Sequence, residues 1–224
     1  MSTKQKLLDA ALDLFSRRGF AAVSVRDLAA AVGVKESALY KHFQNKRAVL
    51  GALVARYREA SERYMSGIHA QPPAGPADPA ALEPGAAFYE SLDDTAFLRI
   101  AEGLFTDFLM QPDTMRFWRM VSIERCNDPD MAALFYTMLH TEPMAFQTAL
   151  FGMLIERGAM RPVDPSVLAM EFFMPALMIY LHLLPWMDDP QRTSQALELL
   201  KRHLLHFRET YSLAPSTQKE IDPS

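Results

Sequence analysis

Apolar positions along this chain recur at helical rather than strand spacing. Over residues 3–18, Leu7, Leu8, Ala11, Leu12 and Phe15 fall at i, i+1, i+4, i+5 and i+8, which is one face of a helix. Arg17 and Arg18 suit the negative end of its dipole, and Gly19 stops it. From Val23 to Leu50 the pattern shortens. Ser24 is placed to cap a helix through its hydroxyl, Leu28, Ala29 and Val32 form the inner stripe, and Gly33 ends it at a left-handed position. Val34 plugs the corner, and a second short helix turns Leu39 and Phe43 inward. Asn45 caps a fourth helix that starts at Lys46 and runs to about Met65, with Val49, Leu50, Leu53 and Tyr57 inside. Two short helices crossing closely at a glycine turn, closed over a core with Phe20 by the first helix, describe a helix-turn-helix.

Residues 71–85 contain five of the chain's fifteen prolines and read as a loop or linker. Helices are predicted near 86–91, 94–110, 112–126, 128–157, 164–184 and 190–211. Pro143 and Pro175 fall inside two of these and should kink or break them. No strand signal and no repeat is present. In the last helix Leu197, Leu200, Leu204, Phe207 and Tyr211 follow a 3-4-3-4 spacing, and Ala196, Leu199 and Leu205 widen the stripe. One side then suits the helix's own domain and the other a partner. With the 164–184 helix, two copies would make a four-helix bundle; the alternative is burial within one chain.

The polar positions sharpen the picture of the first fifty residues. Lys35, Ser37, Tyr40, Lys41 and His42 lie on the outer face of the motif, and all donate hydrogen bonds to phosphates or base edges. Lys46 opens a helix whose N-terminal N–H groups attract anions. The plainer alternative is a solvated face on a small bundle. Charge supports the first reading. Residues 1–60 carry eleven Lys and Arg against five acids, whereas the remainder carries 12 against 22, so a basic head sits on an acidic body.

Ser24-Val25-Arg26-Asp27-Leu28-Ala29, Gly33-Val34, Leu39-Tyr40-Lys41-His42-Phe43 and Asn45-Lys46 resemble the DNA-binding domain of TetR-type (TetR/AcrR) transcriptional regulators. The resemblance covers about residues 5–53; beyond it only length and helical character are shared. It implies a homodimer whose second motif helix enters the major groove of operator DNA. It also implies backbone contacts from Ser24, Arg26, Tyr40, His42 and Lys46, base-facing positions from Lys35 through Glu36 and Ser37 to Ala38, and Lys41 alongside. Glu36 departs from the basic or neutral amide residue more often found there; an acid in the groove accepts from a cytosine amino group or is held away. The implied architecture is all-α. A three-helix helix-turn-helix domain spans 1–53, with a connecting helix from 46 to about 66. A helical ligand-binding and dimerisation domain spans 67–212, and a disordered tail spans 213–224.

Thirteen of the fourteen methionines lie between Met65 and Met187, among many aromatics. Methionine is flexible and polarizable, and is over-used where a surface must fit several apolar shapes. Phe105, Phe108, Trp118, Phe151, Phe172 and Tyr180 are the candidate lining of a pocket for a small apolar effector; an ordinary helical core is the alternative for each. No P-loop, dinucleotide fingerprint, HExxH or GxSxG occurs, so no catalytic residue and no cofactor is expected. His203 and His206 lack a third ligand nearby, so no metal is expected, and a single cysteine, Cys126, excludes an intramolecular disulfide. Lys4, Lys6 and Asp9 interrupt any leader-like apolar run, and Phe172 to Met187 is too short and proline-broken to span a bilayer, so a cytoplasmic protein without membrane contact is expected. Two functions remain. One is a ligand-responsive regulator, a repressor released from its operator by an apolar molecule. The other is a helical small-molecule carrier or scaffold that binds DNA weakly or not at all.

Overall fold

A computed structural model describes residues 1–68, 79–186 and 188–213. The proposed tail beyond Leu213 and residues 71–78 of the predicted linker lie outside the described residues. Among the described residues eleven α-helices follow one another: α1 (Thr3–Arg18), α2 (Val25–Val32), α3 (Glu36–Tyr40), α4 (Lys46–Gly67), α5 (Pro79–Ser91), α6 (Asp94–Gly103), α7 (Pro112–Glu124), α8 (Pro129–Tyr136), α9 (Glu142–Glu156), α10 (Pro165–Leu183) and α11 (Pro190–Tyr211). A π-helical stretch, Leu104–Leu109, continues α6, and a second, Thr137–Thr141, joins α8 to α9. Among the described residues the only β pairing is a single bridge between Met160 and Ser212.

The capping chemistry is what the sequence demands. Ser24 and Asp27 form a reciprocal capping box on α2, with the Asp27 N–H on Ser24 Oγ at 3.1 Å and the Ser24 N–H on Asp27 Oδ2 at 2.8 Å. Gly33 takes the left-handed conformation at φ 72° that ends α2. Asn45 Oδ1 accepts from the Ala48 N–H at 2.8 Å and starts α4.

Leu7, Leu12, Phe15, Leu28, Leu39, Phe43, Leu50 and Leu53 are buried together, as the helical stripes require. The same apolar cluster continues into the body through Met115, Phe117, Trp118, Met120 and Val121 of α7, which packs along α1. A second cluster, with Leu82, Ala86, Phe151, Leu154, Leu168 and Phe207, fills the far end between α5, α9, α10 and α11.

Three expectations are corrected. The linker stops short, because residues 79–85 belong to α5 despite Pro84 inside it; burial of Leu82 and Ala86 against α9 overrides the proline cost. Pro175 does not break α10, and the helix with its 3-10 extension forms an unbroken segment, Pro165–Trp186, of 22 residues and mean hydropathy 1.8. By length and composition alone this segment could cross a membrane, although α9 and α11 pack against it. Finally, the seam on α11 turns inward. Leu200, Leu204 and Phe207 are buried within the chain, and Leu197 and Tyr211 are half-buried against the two clusters. The large apolar side chains these helices leave open are Val167, Met170 and Met178 on α10 and Leu199 on α11.

Candidate nucleic-acid interface

The glycine turn and the inward anchors Leu39 and Phe43 fix α3 so that its other face meets solvent. Ser24, Arg26, Lys35, Glu36, Ser37, Tyr40, Lys41 and His42 are all exposed, and Tyr40 keeps 54% of its surface open although it is a large ring. All eight stand on α2, α3 and the turns that flank them with their side chains open to solvent. Ser24 is committed to capping: its Oγ accepts the Asp27 N–H and also donates to Asp27 Oδ2 at 2.7 Å. Those bonds hold the Asp27 carboxyl below the usual carboxylate range, so a fixed negative charge stays at the N-terminus of α2.

Lys46 is the exception and a correction. Its ammonium does not reach outward for phosphate. It donates to the carbonyl oxygens of Phe20 at 2.7 Å, Val23 at 2.8 Å and Ala21 at 3.4 Å, and lies 4.2 Å from the centre of the Phe20 ring. Burial pulls its pKa below the ordinary lysine value, and the Glu124 charge works against that pull. Lys46 thus ties the loop that delivers α2 to the start of α4.

The body grips the same loop. Glu124, buried at the end of α7, accepts the Phe20 N–H at 2.7 Å. The neighbouring Arg47 is bound to Asp128, at 2.7 Å, and to Asp130, which holds its guanidinium protonated above the usual range. Arg56 bridges Asp9 of α1 at 2.6 Å and Asp113 of α7 at 3.4 Å. These contacts escaped the sequence reading. The available signal was Glu124 itself, an acid one turn beyond the apolar Met120 and Val121 on the buried side of α7.

The six proposed effector residues separate into two groups. Trp118 and Phe108 meet Tyr57 of α4: Trp118 Nε1 donates to Tyr57 Oη at 2.8 Å, and the Phe108 ring is tilted 6.0 Å away, while Phe105 and Tyr180 belong to the same apolar cluster as Trp118 and Tyr180 Oη donates to the Leu109 carbonyl at 3.2 Å. Phe151 and Phe172 pack at 5.4 Å from each other and around Phe207 in the far cluster. Burial pushes the hydroxyls of Tyr57 and Tyr180 well above the usual tyrosine pKa. A further feature was not foreseen, a cleft of about 160 Å³ between α1, α4 and α7.

Residues 7–53 match the family described as "Bacterial regulatory proteins, tetR family". Over 64 residues the chain is 41% identical to the HTH-type transcriptional repressor KstR2 of Rhodococcus jostii, a match covering 25% of this chain and 31% of that one. At the level of fold the likeness extends to the whole chain. A protein of Saccharomonospora viridis solved in complex with choline superposes with a TM-score of 0.62 at 19% identity, covering 94% of this chain and 98% of that one. SmeT, the repressor of the Stenotrophomonas maltophilia multidrug efflux pump SmeDEF, in its triclosan complex gives 0.60 at 19% identity with both chains covered in full. The curated relatives are regulators of transcription by name. The head, residues 7–53, thus carries the sequence of the TetR family of bacterial regulatory proteins, and the whole chain shares the all-helical fold of these solved structures.

Proposed function

We propose that this protein is a DNA-binding repressor of transcription that works as a homodimer and is released from its operator by a mainly apolar small molecule. The observation that carries the reading is the exposure of Arg26, Lys35, Ser37, Tyr40, Lys41 and His42 on and around α2 and α3, with Leu39 and Phe43 buried behind them. Phosphate contacts from the cations and hydroxyls position such a surface, and Lys35 to Ser37 face the bases. KstR2 and SmeT are repressors by name, which supports the sign. The domain division follows from this reading: residues 1–53 hold the DNA contacts, α4 connects, and 67–212 hold the effector and the partner.

Pairing uses the apolar stripe Val167, Met170 and Met178 on α10, a surface otherwise left to water. The effector belongs near α4, by Phe105 and Phe108 on the first π turn and His140 on the second. Such turns are frequent at functional sites, and the buried His140 Nδ1 has no hydrogen-bond partner among the described residues. The choline and triclosan complexes of the two superposed proteins support a small-molecule effector. Fluorescence anisotropy with duplex DNA from upstream of the protein's own gene tests the core of the reading. Affinity should exceed that for random duplex by at least about a thousandfold and fall steeply with salt. Equal affinity for both duplexes would reject it.

A further inference from the structure

We propose that the cleft between α1, α4 and α7 is a binding site for a small monocyclic aromatic carboxylate, adjoining the proposed effector region through Tyr57, whose ring also meets Phe108. The cleft measures about 160 Å³, and its floor is apolar, made by Leu12, Leu53 and Phe117. A volume of roughly 150 Å³ is the size that accepts a benzene ring, so the cleft has room for one ring. Tyr57 supplies the wall, stacked on Phe117 with centroids 4.2 Å apart and planes within 4°.

The rim selects the charge. Arg56 and Arg63 both line the cleft, against one acid, Asp113. Arg56 is already paired with Asp9 and Asp113. Arg63 donates through Nε to the Glu59 carbonyl at 3.2 Å and makes no ion pair among the described residues. Its remaining N–H groups form the planar fork that matches a carboxylate. An inorganic anion would satisfy the fork and leave the apolar floor uncovered, and a neutral ring would cover the floor and leave the fork unused. A ring carrying one carboxylate does both. Because Leu12 lies on α1, Leu53 on α4 and Phe117 on α7, the occupant touches the DNA-binding head, the connecting helix and the body at once.

The test uses benzoate and the full chain without DNA, so its outcome is independent of operator binding. Titration calorimetry should give one site per chain with a dissociation constant below about 1 mM. Benzyl alcohol, which keeps the ring and loses the charge, and acetate, which loses the ring, should each bind at least about tenfold more weakly. Arg63→Gln alters an exposed side chain and should weaken benzoate about tenfold with the melting temperature unchanged. Ala60→Phe places a ring in the cleft from α4 and should abolish binding. In NMR spectra the Trp118 indole N–H, bonded to Tyr57 Oη at 2.8 Å, should shift on titration while that of Trp186 stays put. No saturable binding of benzoate up to about 10 mM, equal binding of benzyl alcohol, or undiminished binding by both variants would each overturn the assignment.

Discussion

At Lys46 an ammonium group has two competing destinations, phosphates outside and the carbonyl oxygens of its own chain inside. The inner ones win because three carbonyls and a ring face converge within reach. This separates two kinds of lysine by experiment. Lys41→Ala should lower affinity for all duplexes and reduce the salt slope by about one unit, since one phosphate contact goes. Lys46→Ala should leave the slope unchanged and lower stability by about 1–3 kcal/mol, because part-buried carbonyls lose their donor. Anisotropy across a salt series and thermal melts distinguish the two; a slope change in Lys46→Ala would return that residue to the DNA interface. Gly19 is a second such point. It holds φ at 82°, and a Cβ there would stand 2.6 Å from Glu124 Oε1. Gly19→Ala should therefore destabilise the chain by more than the roughly 1 kcal/mol that a left-handed alanine alone costs, and Gly19→Ala with Glu124→Ala should recover part of it.

Among the helices, α10 and α11 carry the sharpest test. Met170→Glu with Met178→Glu places charge on a face the single chain leaves open, and should give folded monomers in sedimentation velocity. Leu200→Glu with Leu204→Glu places charge inside the chain's own core and should unfold it. Monomeric wild-type protein at micromolar concentration would remove the pairing role of α10. Much of this level is legible in the residues. The stripes of α1, α4 and α11, the capping by Ser24 and Asn45 and the turn at Gly33 are local chemistry, and local chemistry is written in sequence. The seam from Leu197 to Tyr211 marks which side of α11 is apolar, but spacing carries no information about whose surface covers it. Prolines concealed α5, because the compensating burial of Leu82 and Ala86 depends on α9, about sixty residues away. The π turns are distinguished by backbone hydrogen bonds that side-chain periodicity does not encode. Likewise the exposure of the polar positions of α3 follows from its inward stripe, while the inward turn of Lys46 needed the loop carbonyls to be placed first.

For the molecule as a whole, the head is fastened to the body by carboxylates: Glu124 on Phe20, Asp128 and Asp130 on Arg47, Asp113 on Arg56. Hydrogen bonding from Arg47 holds Asp128 below its ordinary 3.8. A depressed carboxyl pKa contributes stability that is present above the unfolded value and lost as pH falls through the folded one. Melting temperature should therefore be insensitive to this pair from neutrality down to about 4 and decline below it, and Asp128→Asn should show a shallower decline in that acid range. Under the proposed function, an effector that lowers operator affinity should favour one arrangement of these fastenings over another, with couplings of roughly 1–3 kcal/mol and equal loss of effector affinity on DNA. The open stripe on α10 has one more consequence, in mass action. If Val167, Met170 and Met178 are covered only by a second chain, the association equilibrium contributes to the stability of each fold, and the melting temperature must rise with protein concentration. Below the dimer dissociation constant, operator occupancy grows with the square of the chain's concentration. Halving the copy number in a sparsely expressing cell then costs fourfold in occupancy, so synthesis rate becomes an input to the switch alongside the effector.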